Sequence, residues 1–248
     1  MFDESPAALA AKEEVIADLL KDLPSDSDIE ITLPSECKVY HLPDPAAPIT
    51  MRPMTFEDEK NIIGSKAGED PINLILSKCV TNLNIGDLLS LDKLYLIMKL
   101  REISYGNEYK TLLICPSCKA ENPVSVMLSE LTVNPVPDDF TEPVSVFLPS
   151  LKREAKIKFP RVRDEKILSD TQTMMDQLWR FIVDIADNTD KSIISGVLDK
   201  LPLKDARTIL NAMKTDFGVE TKIKLDCSEC KEVSVVELPI NANFFDVN

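Results

Sequence analysis

The chain has 248 residues, of which 44% are hydrophobic and 28% charged, a composition typical of a globular protein with one large domain or two small ones. Its net charge of −14 would repel a phosphate backbone, which argues against a nucleic-acid-binding protein. No apolar run approaches the ~20 residues that span a bilayer, and the N-terminus is acidic where a signal peptide is basic. The sequence therefore predicts a soluble, intracellular protein that binds neither nucleic acid nor membrane.

Residues 1–28 form an acidic segment, which is predicted to be an N-terminal helix or arm. Nine acidic and two basic residues lie among the first thirty, a net charge of −7 that is half of the total. Ser5 and Pro6 are residue types that favour the N-cap and first position of a helix. An apolar stripe follows at Leu9, Ile16, Leu19, Leu20 and Leu23. Two interpretations remain open: a solvated or packed leader helix, and a docking arm for a basic partner.

Several motifs occur twice in the chain, in the same order. They are an alternating strand that ends at Leu-Pro-Ser, an Asp-Glu-Lys triplet, and a Gly-x-Glu-x-Lys segment that ends in Cys-x-x-Cys-Lys. Their positions are 29–35 and 144–150, 58–60 and 164–166, and 106–119 and 218–231. Because the order is kept, we expect an ancient tandem duplication. The predicted divisions are a first half at 29–133, a linker at 134–143, a second half at 144–240 and a C-terminal tail at 241–248.

Each half is predicted to contain strands, then helices, then a β-hairpin, so the fold class is α+β. In the first half, Thr55 and Asp58 form a capping box, and helices are expected at 70–82 and 91–105. In the second half, long helices are expected at 164–187, around the single tryptophan, and at 203–217. The linker is predicted from its three prolines and its lack of apolar periodicity.

The two Cys-x-x-Cys motifs are each flanked by strands, which predicts that both lie in hairpin turns. Two such turns supply four thiolates, the donor set of a closed structural zinc site. A redox function is disfavoured because reactive thiols usually lie at a helix N-terminus, and disulfides are disfavoured by a reducing compartment. The sequence therefore predicts one structural zinc per chain, bound by Cys115, Cys118, Cys227 and Cys230 in a zinc-ribbon-like pair of hairpins that clamps the two halves.

No catalytic or cofactor-binding residue is predicted. Cys37 and Cys79 have no partner at a ligand spacing and are expected to be ordinary buried or half-buried thiols. His41 is the only histidine, and no nucleophile elbow, phosphate-binding loop or dinucleotide fingerprint accompanies it. The acidic residues 57–59 are better explained as the first turn of a helix. The sequence thus predicts a protein that is not an enzyme.

Four motifs of the first half carry a family resemblance. They are Leu-Pro-Ser at 33–35, Arg-Pro-Met-Thr-x-Glu-Asp-Glu at 52–59, Ser-Tyr-Gly at 104–106 and Cys-Pro-Ser-Cys at 115–118. Together they resemble the baseplate proteins of T-even-type contractile-tailed bacteriophages, mainly over residues 29–130. The resemblance implies a virion or assembly protein of the baseplate hub, which contacts hub and tail-tube or tape-measure proteins in the host cytoplasm.

Two other functions remain as alternatives to this interpretation. A nucleic-acid-associated zinc-ribbon factor of the transcription type is disfavoured by the net charge of −14. An enzyme that uses the zinc is disfavoured because four thiolates leave no open coordination position. The stoichiometry, the identity of the hub partner, and the choice between a transient assembly factor and a permanent component stay open.

Overall fold

The computed structural model describes residues 6–21, 28–63, 70–240 and 242–245. Helix α1 (Pro6–Leu20) lies in the segment where a leader helix was predicted, and its described side chains, at residues 10–19, are exposed. Of the predicted apolar stripe, Ile16 and Leu19 belong to this exposed set. The N-cap Ser5 and the other stripe side chains lie outside the described part of the structure.

The first half contains a three-stranded antiparallel sheet with its second strand in the centre, followed by a helix and a two-stranded hairpin. Its elements in chain order are β1 (Ile29–Glu30), β2 (Thr50–Met51), α2 (Phe56–Ile63), α3 (Pro71–Cys79), β3 (Val80–Thr81), α4 (Ser90–Tyr105), β4 (Glu108–Ile114) and β5 (Glu121–Met127). A short strand, β6 (Val133–Asn134), comes next.

The second half repeats this order: an antiparallel sheet with its second strand in the centre, then helices, then a hairpin. Its elements are β7 (Val144–Leu148), β8 (Arg153–Ile157), α5 (Glu165–Leu168), α6 (Thr171–Asp176), β9 (Ile182–Ile185), α7 (Lys191–Leu198), α8 (Leu203–Ala212), β10 (Gly218–Val219), β11 (Lys222–Asp226) and β12 (Val233–Glu237). The described helices and antiparallel strands confirm the α+β class. None of these helices is long and apolar enough to cross a membrane.

Most of the helix starts and ends predicted for the first half agree with the structure. The Thr55 N–H donates to the Asp58 carboxylate at 2.9 Å and the Asp58 N–H donates to the Thr55 hydroxyl at 3.3 Å, which confirms the capping box of α2. Helix α4 ends before Gly106, whose φ of +94° favours glycine. Helix α3 ends three residues earlier than predicted, since the β-branched pair 80–81 joins the sheet as β3.

The long helix predicted at 164–187 is wrong. The segment is divided into α5, α6, a 3₁₀ turn at Leu178–Phe181 and the strand β9. Asp170 starts α6 anew, because its carboxylate accepts the Thr173 N–H at 2.7 Å. The run 182–185 then pairs with β8, so its apolar residues belong to a strand whose buried side chains pack in the second core with helix residues such as Ile194. Trp179 is half-buried against the core of the second half.

Two further boundaries differ from the prediction. Helix α8 ends at Ala212, five residues before the predicted Phe217, which is buried beside the linker. The linker is itself packed: Val136 is buried, and the ring of Phe140 lies 4.8 Å from that of Phe217. Strand β6, which ends at linker residue Asn134, pairs with β10. Apolar residues between the prolines therefore attach this segment to both halves.

The described residues form two large hydrophobic cores, one for each three-stranded sheet. The C-terminal residues 242–245, predicted to be a tail, instead form a 3₁₀ turn in the first core. Phe244 is fully buried there, its ring 4.6 Å from that of Tyr109, and its carbonyl accepts the Arg101 Nε–H at 2.7 Å. The chain therefore returns to the first half after completing the second.

One buried contact occurs in both halves. Asp92, the third residue of α4, accepts the Ser35 N–H at 3.1 Å, and Asp205, the third residue of α8, accepts the Ser150 N–H at 2.9 Å. Both carboxylates are fully buried, and both serines end a Leu-Pro-Ser motif. In each half the helix is thus joined to the loop that follows the first strand. Neither aspartate belongs to the repeated sequence motifs, so their equivalence is visible only in the structure.

Candidate metal centre

The two Cys-x-x-Cys motifs lie in equivalent hairpin turns, one between β4 and β5 and the other between β11 and β12. In the first turn, the Cys115 N–H donates to the Ala120 carbonyl at 2.9 Å, and in the second the Cys227 N–H donates to the Glu232 carbonyl at 3.1 Å. Each turn is completed by a lysine with a positive φ, 65° at Lys119 and 60° at Lys231. The two turns therefore have the same backbone hydrogen bond and the same left-handed residue.

The turns face each other, so that the four sulfur atoms of the predicted ligands lie within 4.8 Å of one another. The Sγ atoms of Cys115 and Cys230 are 3.7 Å apart, and those of Cys118 and Cys227 are 3.6 Å apart. A tetrahedral ion with metal–sulfur bonds of about 2.3 Å requires sulfur atoms about 3.8 Å apart. The four cysteines therefore have the chemistry and the spacing to bind a metal ion.

A small apolar cluster holds the two hairpins together behind the sulfur atoms. Leu113 and Leu225, the penultimate residues of β4 and β11, are buried with the first cysteine of each motif. The second cysteine of each motif, Cys118 or Cys230, is exposed. The cluster is thus shielded from water on the side of the first cysteines and accessible to solvent on the side of the second. Among the described residues, only the cysteines belong to the potential ligand set.

Asn122 on β5 connects the two turns directly. Its side-chain N–H donates to the Cys227 sulfur at 3.7 Å and to the Ala120 carbonyl at 3.0 Å, while its carbonyl accepts the Ser228 N–H at 2.8 Å. The side chain is nearly fully buried. Sequence analysis missed this residue, although one signal was present: strand alternation places Asn122 on the same inward face as Val124.

The electrostatics of the cluster also indicate a need for a cation. The Cys230 N–H lowers the pKa of the Cys227 thiol to about 6, and the Cys118 N–H lowers the pKa of Cys115 in the same way. The Glu232 N–H lowers the pKa of Cys230, but hydrogen bonds to the other three cysteines outweigh that effect and raise it to about 12. Four adjacent thiolates repel one another, so full deprotonation requires a bound positive ion.

Each motif is followed directly by a lysine, Lys119 or Lys231. Their ammonium groups cap the turns, since Lys119 donates to the Pro116 carbonyl at 3.0 Å and Lys231 to the Ser228 carbonyl at 2.7 Å. The remaining candidates lie elsewhere: Cys79 is buried and Cys37 half-buried, as predicted. Burial raises the pKa of both thiols, which makes them poor nucleophiles.

Comparison with known families decides the context of this site. The family model described as T4 bacteriophage base plate protein matches residues 13–246, nearly the whole chain. The chain belongs to this baseplate family. The resemblance first seen in the motifs of the first half is therefore confirmed and extends through the second half. No curated protein and no solved structure is significantly similar to this baseplate protein.

Family membership identifies a structural protein of the phage baseplate, which fits the virion and implies contacts with other baseplate or tail proteins. The cysteine cluster of the baseplate protein lies inside the matched range, as do both three-stranded sheets and both hairpins. His41, the single histidine, is exposed on the loop between β1 and β2 and does not belong to the four-cysteine cluster.

Proposed function

We propose that this baseplate protein is a non-enzymatic structural or assembly component of the baseplate hub whose two halves are clamped by one structural zinc ion. The match to the baseplate family over residues 13–246 carries the functional part of the proposal. The converging sulfur atoms of Cys115, Cys118, Cys227 and Cys230 carry the metal part. Zinc suits four thiolates in a tetrahedron, and a site with no open position acts in structure and not in catalysis.

An internal duplication explains why the ligands come in two distant pairs. Three features support it: the repeated order of sheet, helices and hairpin, the two equivalent knuckle turns, and the buried Asp92 and Asp205 contacts. We assign residues 29–133 to the first half and 144–240 to the second. The third strand of each sheet, β3 or β9, pairs with the second strand in both halves, which adds a feature that the sequence motifs did not contain.

The clamp has a mechanical consequence. The strand β11 and the residues after β12 pack on the first core through Ile223, Leu238 and Phe244, whereas the second core uses residues 144–213. Both hairpins therefore pack on the first core, and the metal would fix the second hairpin against the first. The second core is joined to this pair of hairpins through residues 214–221 of the chain. Because the binding free energy of a structural zinc adds to the free energy of unfolding, the ion would anchor the end of the second half on the first core. A fixed arrangement suits a scaffold that must contact several neighbours.

The nucleic-acid alternative receives no support from the site. The net charge is −14, and the outward faces of the hairpins carry apolar residues such as Leu112, Ile114 and Val235 beside isolated lysines. A nucleic-acid-binding ribbon needs a basic face with stacked aromatic residues. Outward apolar residues are more typical of a surface that contacts protein.

The hub assignment is tested by purification from infected cells. The protein is tagged at one terminus and expressed from the phage genome. When it is purified from the host cytoplasm before virions are released, it should carry with it the phage's hub and tail-tube or tape-measure proteins. A second phage that carries the same tag on an unrelated capsid protein is the control. Recovery of peripheral baseplate proteins without hub proteins would contradict the assignment, and enrichment of nucleic acid would favour the alternative.

A further inference from the structure

A cavity of about 580 Å³ lies between the two halves, beside α8. Its wall is mainly apolar and comes from the start of α4, the residues after β8, the α5–α6 region, and α8 with the residues that follow it. The principal apolar residues are Leu89, Leu91, Phe159, Leu168, Met174 and Leu210. This volume lies within the range of about 300–1,000 Å³ that is typical of binding sites. The cavity is therefore large enough to accept several side chains of a partner.

The edge of the cavity is basic although the protein as a whole is acidic. Arg207 and Lys214 line the cavity, and Lys204 precedes Arg207 by one helical turn. Lys204 and Arg207 lie on one exposed face of α8, and Lys214 is exposed two residues after the end of the helix. None of them forms an ion pair with another residue in the described ranges. An apolar cavity with an unpaired basic edge selects an acidic amphipathic segment.

Helix α1 has the complementary properties. Val15, Ile16 and Leu19 have exposed fractions of 58%, 44% and 75%, and they recur at the spacing of one helix face. Glu13 and Glu14 are exposed beside them and form no ion pair with a described residue. An isolated helix of this length is marginally stable in water, so docking of its apolar face would stabilise it.

We propose that α1 of one copy docks into the cavity of a second copy. In the single chain the apolar face of the helix is exposed, and no described residue of α1 lines the cavity. In the docked complex, Ile16 and Leu19 enter the apolar cavity while Glu13 and Glu14 pair with Arg207 and Lys214. The contact joins different surfaces of the two copies, so it is a head-to-tail contact. It does not depend on the zinc or on the hub assignment.

Charge-reversal variants test this contact by sedimentation velocity at one ionic strength. The leader variant is Glu13→Lys with Glu14→Lys, and the cavity variant is Arg207→Glu with Lys214→Glu. A matched control, Arg153→Glu with Lys224→Glu, introduces the same charge change at exposed strand positions that face apolar cross-strand partners. Circular dichroism and the unfolding midpoint verify that each variant is folded.

We expect the wild-type and control proteins to self-associate with rising concentration, and each test variant to do so at least tenfold more weakly. The leader variant brings the net charge from −14 to −10, so a loss of association there does not come from general repulsion. An equal mixture of the two test variants should associate like the wild type. The native helix of the cavity variant meets the native cavity of the leader variant, and the reversed charges of the other helix and cavity also complement each other.

Three results would overturn the proposal. The first is a wild-type protein that remains a 27.7 kDa monomer at concentrations up to about 0.5 mM. The second is a leader or cavity variant that associates as strongly as the control. The third is a mixture of the two variants that stays monomeric, which would mean that the helix does not reach a cavity on another chain.

Discussion

Replacing Asn122 with alanine is expected to weaken the metal site without removing a ligand. The side chain spans the two turns, with bonds to the Cys227 sulfur, the Ala120 carbonyl and the Ser228 N–H. Ser228 is exposed, so water can replace the lost carbonyl at that position. The cost therefore comes mainly from the bond to the sulfur, which is charged when a metal is bound.

A hydrogen bond to a charged acceptor contributes about 1.5–3 kcal/mol, compared with about 0.5–1.5 kcal/mol for a neutral pair. Loss of the bond from Asn122 to Cys227 should therefore lower the affinity for zinc roughly 10–100-fold, the range typical of residues that support metal ligands. Competition with a chromophoric chelator measures this affinity directly. The zinc stoichiometry at saturation should remain that of the wild type.

Ser234→Ala is the matched control for this experiment. Ser234 follows Cys230 by four residues, as Asn122 follows Cys118, but it forms no hydrogen bond to a cysteine sulfur in the described structure. We expect this variant to bind zinc like the wild type. An Asn122→Ala protein within twofold of the wild-type affinity would refute the reasoning, as would a Ser234→Ala protein that is equally impaired.

Three more predictions concern stability. The Arg52 guanidinium, 2.6 Å from Asp58, lowers the pKa of that carboxyl to about 2. Since this pKa is lower folded than unfolded, the stabilisation is complete above about pH 4 and is lost as the pH falls to 2. Arg52→Met should thus reduce the free energy of unfolding by about 1–2 kcal/mol at pH 6, after allowance for partial exposure of the pair. The reduction should be much smaller at pH 2.5, and denaturant titrations at the two pH values measure both. An equal loss at both pH values would exclude the ion pair as the cause. Asp205→Ala should reduce the free energy of unfolding by about 2–4 kcal/mol, because the fully buried carboxylate accepts the Ser150 and Leu151 N–H groups and no other charged acceptor in the described structure replaces it. A loss below 1 kcal/mol would show that the loop finds other partners. Deletion of residues 1–25 should leave the zinc content and the unfolding midpoint unchanged, and a lower midpoint would mean that α1 packs on its own chain.

The elements set by local chemistry could be predicted from the sequence. The hairpin turns follow from the cysteine spacing and the flanking strands, the start of α2 from Thr55 and Asp58, and the end of α4 from Gly106. Each of these signals acts within a few residues, so it survives in a single sequence. The convergence of the two turns could also be predicted, because four cysteines in two equivalent motifs have one chemically sensible arrangement.

The elements that depend on distant partners could not be predicted. The run 182–185 is apolar enough for a buried helix or a buried strand, and only pairing with β8 decides between them. Asp205 contacts a loop 55 residues earlier in the chain, and Phe244 fills a core that begins more than 200 residues before it. The role of Asn122 depends on its contact with Ser228 in the other turn, 106 residues later in the chain, which a hairpin motif alone does not indicate.

The central claim is that one zinc ion, bound by four cysteines, clamps the two halves. The most direct test is elemental analysis of the purified protein combined with titration of its accessible thiols. We expect about one zinc per chain, with Cys115, Cys118, Cys227 and Cys230 becoming reactive only after a chelator removes the metal. A folded protein that contains no metal and has all four thiols reactive from the start would contradict the account.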